Sequence, residues 1–275
     1  MKKKILGLLI AFILSVPTYA SITVSPTRLE INANKIRNNY VTTAIEVKGD
    51  AQKAMRYKAY TGYFKISDKS EMIFADEEKN NPYNISSKVR FVPSEFSIPP
   101  GKSQKVRVNI ANINSLPEGE SRAIIYLEDV NPKEMNVPND YGIGAQLILK
   151  TRVAVPVYVD KGKFVKRAEI ENLEIKRQKN GLFAQAKILS TGNSRVRYSG
   201  HIQISKGKKL VAEIPLVPTV VGSENHYVLQ QRIDTKEIKE AGDYTVRLII
   251  TYLDENNNRK NIKKDAILKV TNEQI

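Results

Sequence analysis

From residue 22 onward, apolar and polar positions alternate with a period of two. In Ser103 to Ile110, the residues Val106, Val108 and Ile110 alternate with Lys105, Arg107 and Asn109. That spacing turns one face of a strand inward and the other toward water. No window longer than about ten residues carries the i, i+3, i+4, i+7 apolar spacing of an amphipathic helix. Before residue 160 the pattern predicts strands over Ile22 to Ile31, Tyr40 to Val47, Ala54 to Ile66, Val89 to Ile98, Ser103 to Ile110, Ser121 to Val130 and Ile143 to Val159. Pro26 and Pro93 place a kink or a sheet edge in two of them. Ser67 to Asn84 and Asn131 to Tyr141 are polar or proline-bearing and read as loops.

Further strands are predicted over Ala168 to Ile175, Leu182 to Leu189, Val196 to Ile204, Lys209 to Leu216, Tyr227 to Ile233, Asp243 to Leu253 and Ile262 to Val270. Seven short strands per half, separated by turn residues, predict an all-β chain of two immunoglobulin-like β-sandwich domains in tandem. The expected units are residues 21–159 and 160–275, joined at the polar stretch Asp160-Lys161-Gly162-Lys163.

The first twenty residues break the pattern. Lys2 to Lys4 precede the apolar run Ile5 to Val16, and Pro17-Thr18-Tyr19-Ala20 follows it. This is the anatomy of a secretory signal peptide over residues 1–20, and the run is too short to span a bilayer. Without those three lysines the formal charge falls from +15 to +12. The basic residues are scattered and the chain is exported. Nucleic acid is therefore disfavoured against an acidic protein, an anionic envelope surface or a terminal carboxylate. No stable membrane insertion is expected.

The absence of cysteine excludes disulfides, thiolate metal sites and thiol nucleophiles. His201 and His226 lack ligand spacing, and Asp76-Glu77-Glu78 leads into Lys79-Asn80-Asn81-Pro82, a solvated loop. No metal, no cofactor and no catalytic residue is expected, and no sequence motif speaks for an enzyme.

The run Ile143 to Val159 is too long for an ordinary sandwich strand. Seventeen residues extend about 55 Å, whereas sandwich strands usually have about 3–10 residues. Its odd positions, from Ile143, Ala145, Leu147 and Leu149 to Val159, are apolar apart from Thr151. Two readings stay open. The run divides at Lys150-Thr151-Arg152 or at Pro156 into two strands inside one sandwich, or part of it is exposed and enters a partner's groove by β-augmentation.

Four stretches taken in order resemble the periplasmic pilus- and fimbria-assembly chaperones of the PapD-like type. They are Ile22–Ile31 with Pro26-Thr27-Arg28, Phe96-Ser97-Ile98-Pro99-Pro100-Gly101 continuing to Val108, Leu116-Pro117-Glu118-Gly119 continuing to Ala123, and Leu147–Tyr158. The likeness covers about residues 21–160. It implies two immunoglobulin-like domains in an L or boomerang arrangement, no catalysis, and a chaperone that lends a strand to pilus or fimbrial subunits. The donor residues implied are Ile143, Ala145, Leu147 and Leu149. The subunit's terminal carboxylate would be anchored by Arg28 with Arg152 or Lys150, since Ala154 occupies the position where the family carries a lysine. Arg107 and Glu120 fall near an interdomain ion pair. An outer-membrane usher is an implied partner, and self-association through an exposed strand is a further expectation. The alternative is a structural or adhesive envelope protein, a fibre component without chaperone activity.

Overall fold

A computed structural model describes residues 22–131, 133–137, 145–179, 181–234, 236 and 238–271. Residues 1–20, expected to form a signal peptide, and Ile143 lie outside them. The first half contains β1 (Thr23–Ser25), β2 (Leu29–Asn32), β3 (Tyr40–Lys48), β4 (Met55–Gly62), β5 (Phe64–Ile66), β6 (Met72–Phe74), β7 (Val89–Val92), β8 (Glu95–Ile98), β9 (Ser103–Ala111), β10 (Gly119–Asp129), β11 (Lys133–Val137), β12 (Ala145–Leu149) and β13 (Arg152–Lys161). One sheet runs β1-β3-β9-β7 and the facing one β2-β13-β10-β4-β8. The chain is thus all-β, and this pair of sheets has the strand order of an immunoglobulin-like sandwich. Between them lies a core that includes Ile45, Val47, Val106, Val108, Ile110, Ala123, Ile125, Val155, Val157 and Val159.

Pro26 ends β1, which pairs with β3. The chain then crosses to the opposite sheet, where β2 runs parallel to β13 with Leu29 opposite Val157. That crossing sets Arg28 at the head of β2. The continuous apolar run Ala123 to Leu127 marks a strand covered on both faces, the reading such a pattern supports in a buried sheet. Ala123, Ile125 and Leu127 face the main core. Ile124 and Tyr126 face a second, smaller cluster with Phe64, Ile66 and Tyr158, against which Val220 of the second half packs. The short β5–β6 hairpin covers this outer face.

The second half contains β14 (Ala168–Gln178), β15 (Gly181–Ser190), β16 (Val196–Lys206), β17 (Lys209–Pro215), β18 (Thr219–Val221), β19 (His226–Ile233), β20 (Gly242–Leu253) and β21 (Arg259–Val270). Its sheets are β14-β15-β19 and β17-β16-β20-β21, with β18 on β16. Alternation is strict where one face is buried. Tyr244, Val246, Leu248, Ile250 and Tyr252 of β20 all point into the second core.

Three strands fall in stretches that the sequence pattern assigns to loops or connections: β6, β11 and β18. The long run ending at Val159 is divided at Lys150-Thr151. Its second part, β13, lies in the sandwich. Its first part, β12, pairs with β11 in a separate two-stranded sheet.

Candidate functional site

Two of the contacts that join the halves frame the site. The first is the β5–β6 hairpin, whose Ser70 hydroxyl donates to the Val220 carbonyl (2.6 Å) and whose Ile66 carbonyl accepts from Asn225 (2.8 Å). The second is a buried charge cluster. Glu120 at the start of β10 is 1% exposed, Asp160 near the end of β13 is 4% exposed, and Arg195 just before β16 is 3% exposed. Arg195 Nη1 donates to Glu120 Oε2 (2.6 Å), and the Arg195 backbone N–H donates to the same oxygen (2.9 Å). Nη1 also lies 3.6 Å from Asp160, and Nη2 lies 3.3 Å from Glu30. The Ser194 hydroxyl donates to Asp160 (2.7 Å), and the Lys166 ammonium lies 3.2 Å from its other oxygen. The Arg195 guanidinium sits 3.9 Å above the Tyr158 ring. Burial alone would favour the neutral form of Arg195, but Glu120, Asp160 and Glu30 outweigh it and raise its pKa.

Glu30 faces the edge of this cluster. Arg197 and Arg28 each donate to its Oε1, at 2.8 and 3.0 Å. Burial would raise its pKa, but Arg195, Arg197 and Arg28 together hold it at about 2, against an ordinary 4.5. A carboxyl with a lowered native pKa contributes stability above its unfolded value, and that contribution is lost as pH falls from 4.5 toward about 2. Glu30 is 38% exposed, and solvent screening reduces the expected loss to roughly 1 kcal/mol. Urea unfolding at about pH 5 and about pH 3 should therefore show a larger drop for the native chain than for Glu30→Gln. Equal drops in both would remove Glu30 from the acid response.

Beside Glu30 the two halves enclose an open cleft of about 780 Å³. Arg28 and Ser70 line it from the first half, and Arg197, Tyr198, Thr219 and Arg259 from the second.

The expected Arg107–Glu120 pair is corrected. Arg107 is exposed on β9, in the sheet that does not contain Glu120, because its neighbours Val106 and Val108 take the inward positions. Among the described residues the ion-pair partners of Glu120 are Arg195 of the second half and, at 3.5 Å, Arg122.

Arg28 lines the cleft, and Arg152 is engaged elsewhere. Arg152's guanidinium lies 4.2 Å from the Tyr126 ring and 5.3 Å from Phe74, and it donates to the Tyr60 hydroxyl (3.2 Å). The register sets Leu29 opposite Val157, which leaves Arg152 about four residues, roughly 13 Å, from the level of Arg28. Lys150 is exposed in the link between β12 and β13, and Ala154 packs against the small cluster. The sequence reading missed Arg195 and Arg197. Their signal is the alternation Arg195-Val196-Arg197-Tyr198, which puts two arginines on the face opposite two core residues.

The strand edge completes the site. β10 pairs with β13 from Arg152 to Lys161, but β2 covers its other edge only from Val157 to Asp160. Among the described residues no strand pairs with that edge from Arg152 to Pro156. Beyond it, Ala145, Leu147 and Leu149 lie on β12 opposite Val137, Met135 and Lys133. Ile148 and Leu149 are 56% and 43% exposed. Val155, Val157 and Val159 of the same long run are sunk in the home core. The arrangement offers main-chain donors and acceptors along an open edge that leads down to a basic cleft.

No family model and no curated protein matches the chain. Similar solved structures include the YadV chaperone, at 10% identity over 89% of this chain and 99% of that one, TM-score 0.46. The Pseudomonas aeruginosa CupB2 chaperone is 12% identical over 88% and 98%, TM-score 0.42. The class 5 fimbriae chaperone CfaA is 15% identical over 91% and 100%, TM-score 0.44. All three are chaperones. Among the described residues no helix is long and apolar enough to cross a membrane.

Proposed function

We propose that the chain is a periplasmic chaperone, not an enzyme, which binds pilus or fimbrial subunits by lending them a strand and passes them to an outer-membrane usher. Residues 1–20 act as the export signal, and 21–159 and 160–275 as the working domains. The observation that carries this reading is the open edge of β13, continuous with β12 and its exposed Ile148 and Leu149, beside the cleft that holds Arg28. A client strand running parallel to β13 along Arg152–Pro156 would bring its C-terminus to Arg28. Ladder bonds supply affinity in such pairing, and alternate side chains supply selectivity. Covering the client's gap would also suppress edge-to-edge aggregation.

The test is co-expression with the secreted proteins encoded beside it, followed by affinity capture. Each Leu buried in a client contributes roughly 1.5–3 kcal/mol. The Leu147→Asp/Leu149→Asp double variant should therefore weaken capture on the order of a hundredfold or more, with the far-ultraviolet circular dichroism unchanged. Undiminished capture by that folded variant would exclude strand donation.

A further inference from the structure

We propose that the second domain supplies the anchoring cations that β13 lacks. Arg197 and Arg259, with the Tyr198 hydroxyl, complete a terminal-carboxylate site around Arg28. This rests on the function proposed above and extends it to residues beyond the first domain.

The charge balance of the cleft carries the inference. Glu30 is the one carboxylate within ion-pair distance of Arg28 and of Arg197 among the described residues, and it serves both while also meeting Arg195. Arg259, at the head of β21, lines the same cleft and is exposed, with no described carboxylate within ion-pair distance. Three guanidinium groups thus line a space, and the one carboxylate within ion-pair distance of any of them among the described residues is already shared. A cleft with that surplus of positive charge favours an anion.

Tyr198 adds an independent observation. Its side chain is 3% exposed and it lines the cleft, yet its hydroxyl makes no hydrogen bond of normal geometry. Thr219 is the polar group beside it; its hydroxyl donates to the Val217 carbonyl (2.8 Å), which leaves it only acceptor capacity toward the phenol. A buried hydroxyl that lacks a hydrogen bond of normal geometry gains from a ligand oxygen placed to complete its bonding. A carboxylate has two oxygens and about four acceptor sites, enough for a guanidinium fork and a phenol together. On β13 itself, Ala154 has nothing to offer, and Arg152 is held over Tyr126 and Phe74.

The test uses the full mature chain and a synthetic peptide of about eight alternating valines and serines. The peptide is made with a free C-terminal carboxylate and as its C-terminal amide. Native protein should bind the carboxylate form on the order of tenfold more tightly, the strength of charge-assisted bonds. Arg28→Ala, Arg197→Ala and Arg259→Ala should each reduce that ratio to below about threefold. Arg259→Ala is decisive, because no ion pair among the described residues depends on that side chain. If Arg28→Ala abolishes the preference and Arg259→Ala preserves it, the second-domain anchor is wrong and the function proposed above stands. If native protein binds neither form, or both equally, the carboxylate site fails and this inference fails with it.

Discussion

Replacing Arg195 with methionine is expected to lower the free energy of unfolding by about 3–5 kcal/mol, the cost of removing one partner from a buried ion pair. Two nearly inaccessible carboxylates, Glu120 and Asp160, would then remain at the junction of the halves. Glu120 would keep Arg122 at 3.5 Å and the backbone N–H of residue 195, which is too little to replace a 2.6 Å charge-assisted bond. Glu120→Gln should cost less, since Arg195 would retain Asp160 and Glu30. The double variant should fall short of the sum by about 1–3 kcal/mol, because both changes remove the same bond. Urea unfolding of the three variants at neutral pH measures each quantity. A loss below about 1 kcal/mol for Arg195→Met would mean that the cost of desolvating the guanidinium consumes what its ion pairs contribute.

The sheets were readable in the sequence because burial of one face imposes a period of two, and β9, β15 and β20 show it without interruption. Pro26 and Pro93 announced the breaks, since a residue without an N–H interrupts a ladder. The strands that escaped notice are short. β6, β11 and β18 have only three to five residues. In pieces that short, pairing and packing from elsewhere in the chain outweigh local preference. β18 adds to the edge of β16, and β6 covers Tyr126.

The charged site was less legible. Arg28 entered through a resemblance, and so did Glu120, whose expected partner Arg107 lies in the other sheet while Arg195 binds it. An arginine in isolation looks like a solvated charge. What makes Arg195 a buried hub is that Glu30, Glu120 and Asp160, from three different strands, converge on it. Separations of 35 to 165 residues carry no periodicity that a local window can detect. The run ending at Val159 was ambiguous for a different reason. Its apolar alternation is the same in β12 and β13, although Val155, Val157 and Val159 sit in the home core while Leu149 is exposed.

Tyr158→Ala is expected to cost about 3–5 kcal/mol, as for other aromatic truncations in a core, and Tyr158→Phe about 1 kcal/mol or less. The ring is 2% exposed and serves both halves at once. One edge meets Phe64 at 5.5 Å in a T-shaped contact, while Arg195 and Arg197 lie 3.9 and 5.3 Å from its centroid. Desolvated cation–π contacts of this kind contribute about 2 kcal/mol, and phenylalanine keeps them. Alanine would remove the platform that holds Arg197 toward the cleft and open a cavity between the small cluster and the charged junction. Thermal and urea unfolding should therefore separate the two variants clearly, and the carboxylate-over-amide preference should survive in Tyr158→Phe and shrink in Tyr158→Ala. If alanine and phenylalanine behave alike in both assays, the aromatic face is not what sets Arg197. Its position would then depend on the Tyr158 hydroxyl or on Glu30, and Glu30→Gln tests the second by releasing Arg28 and Arg197 together.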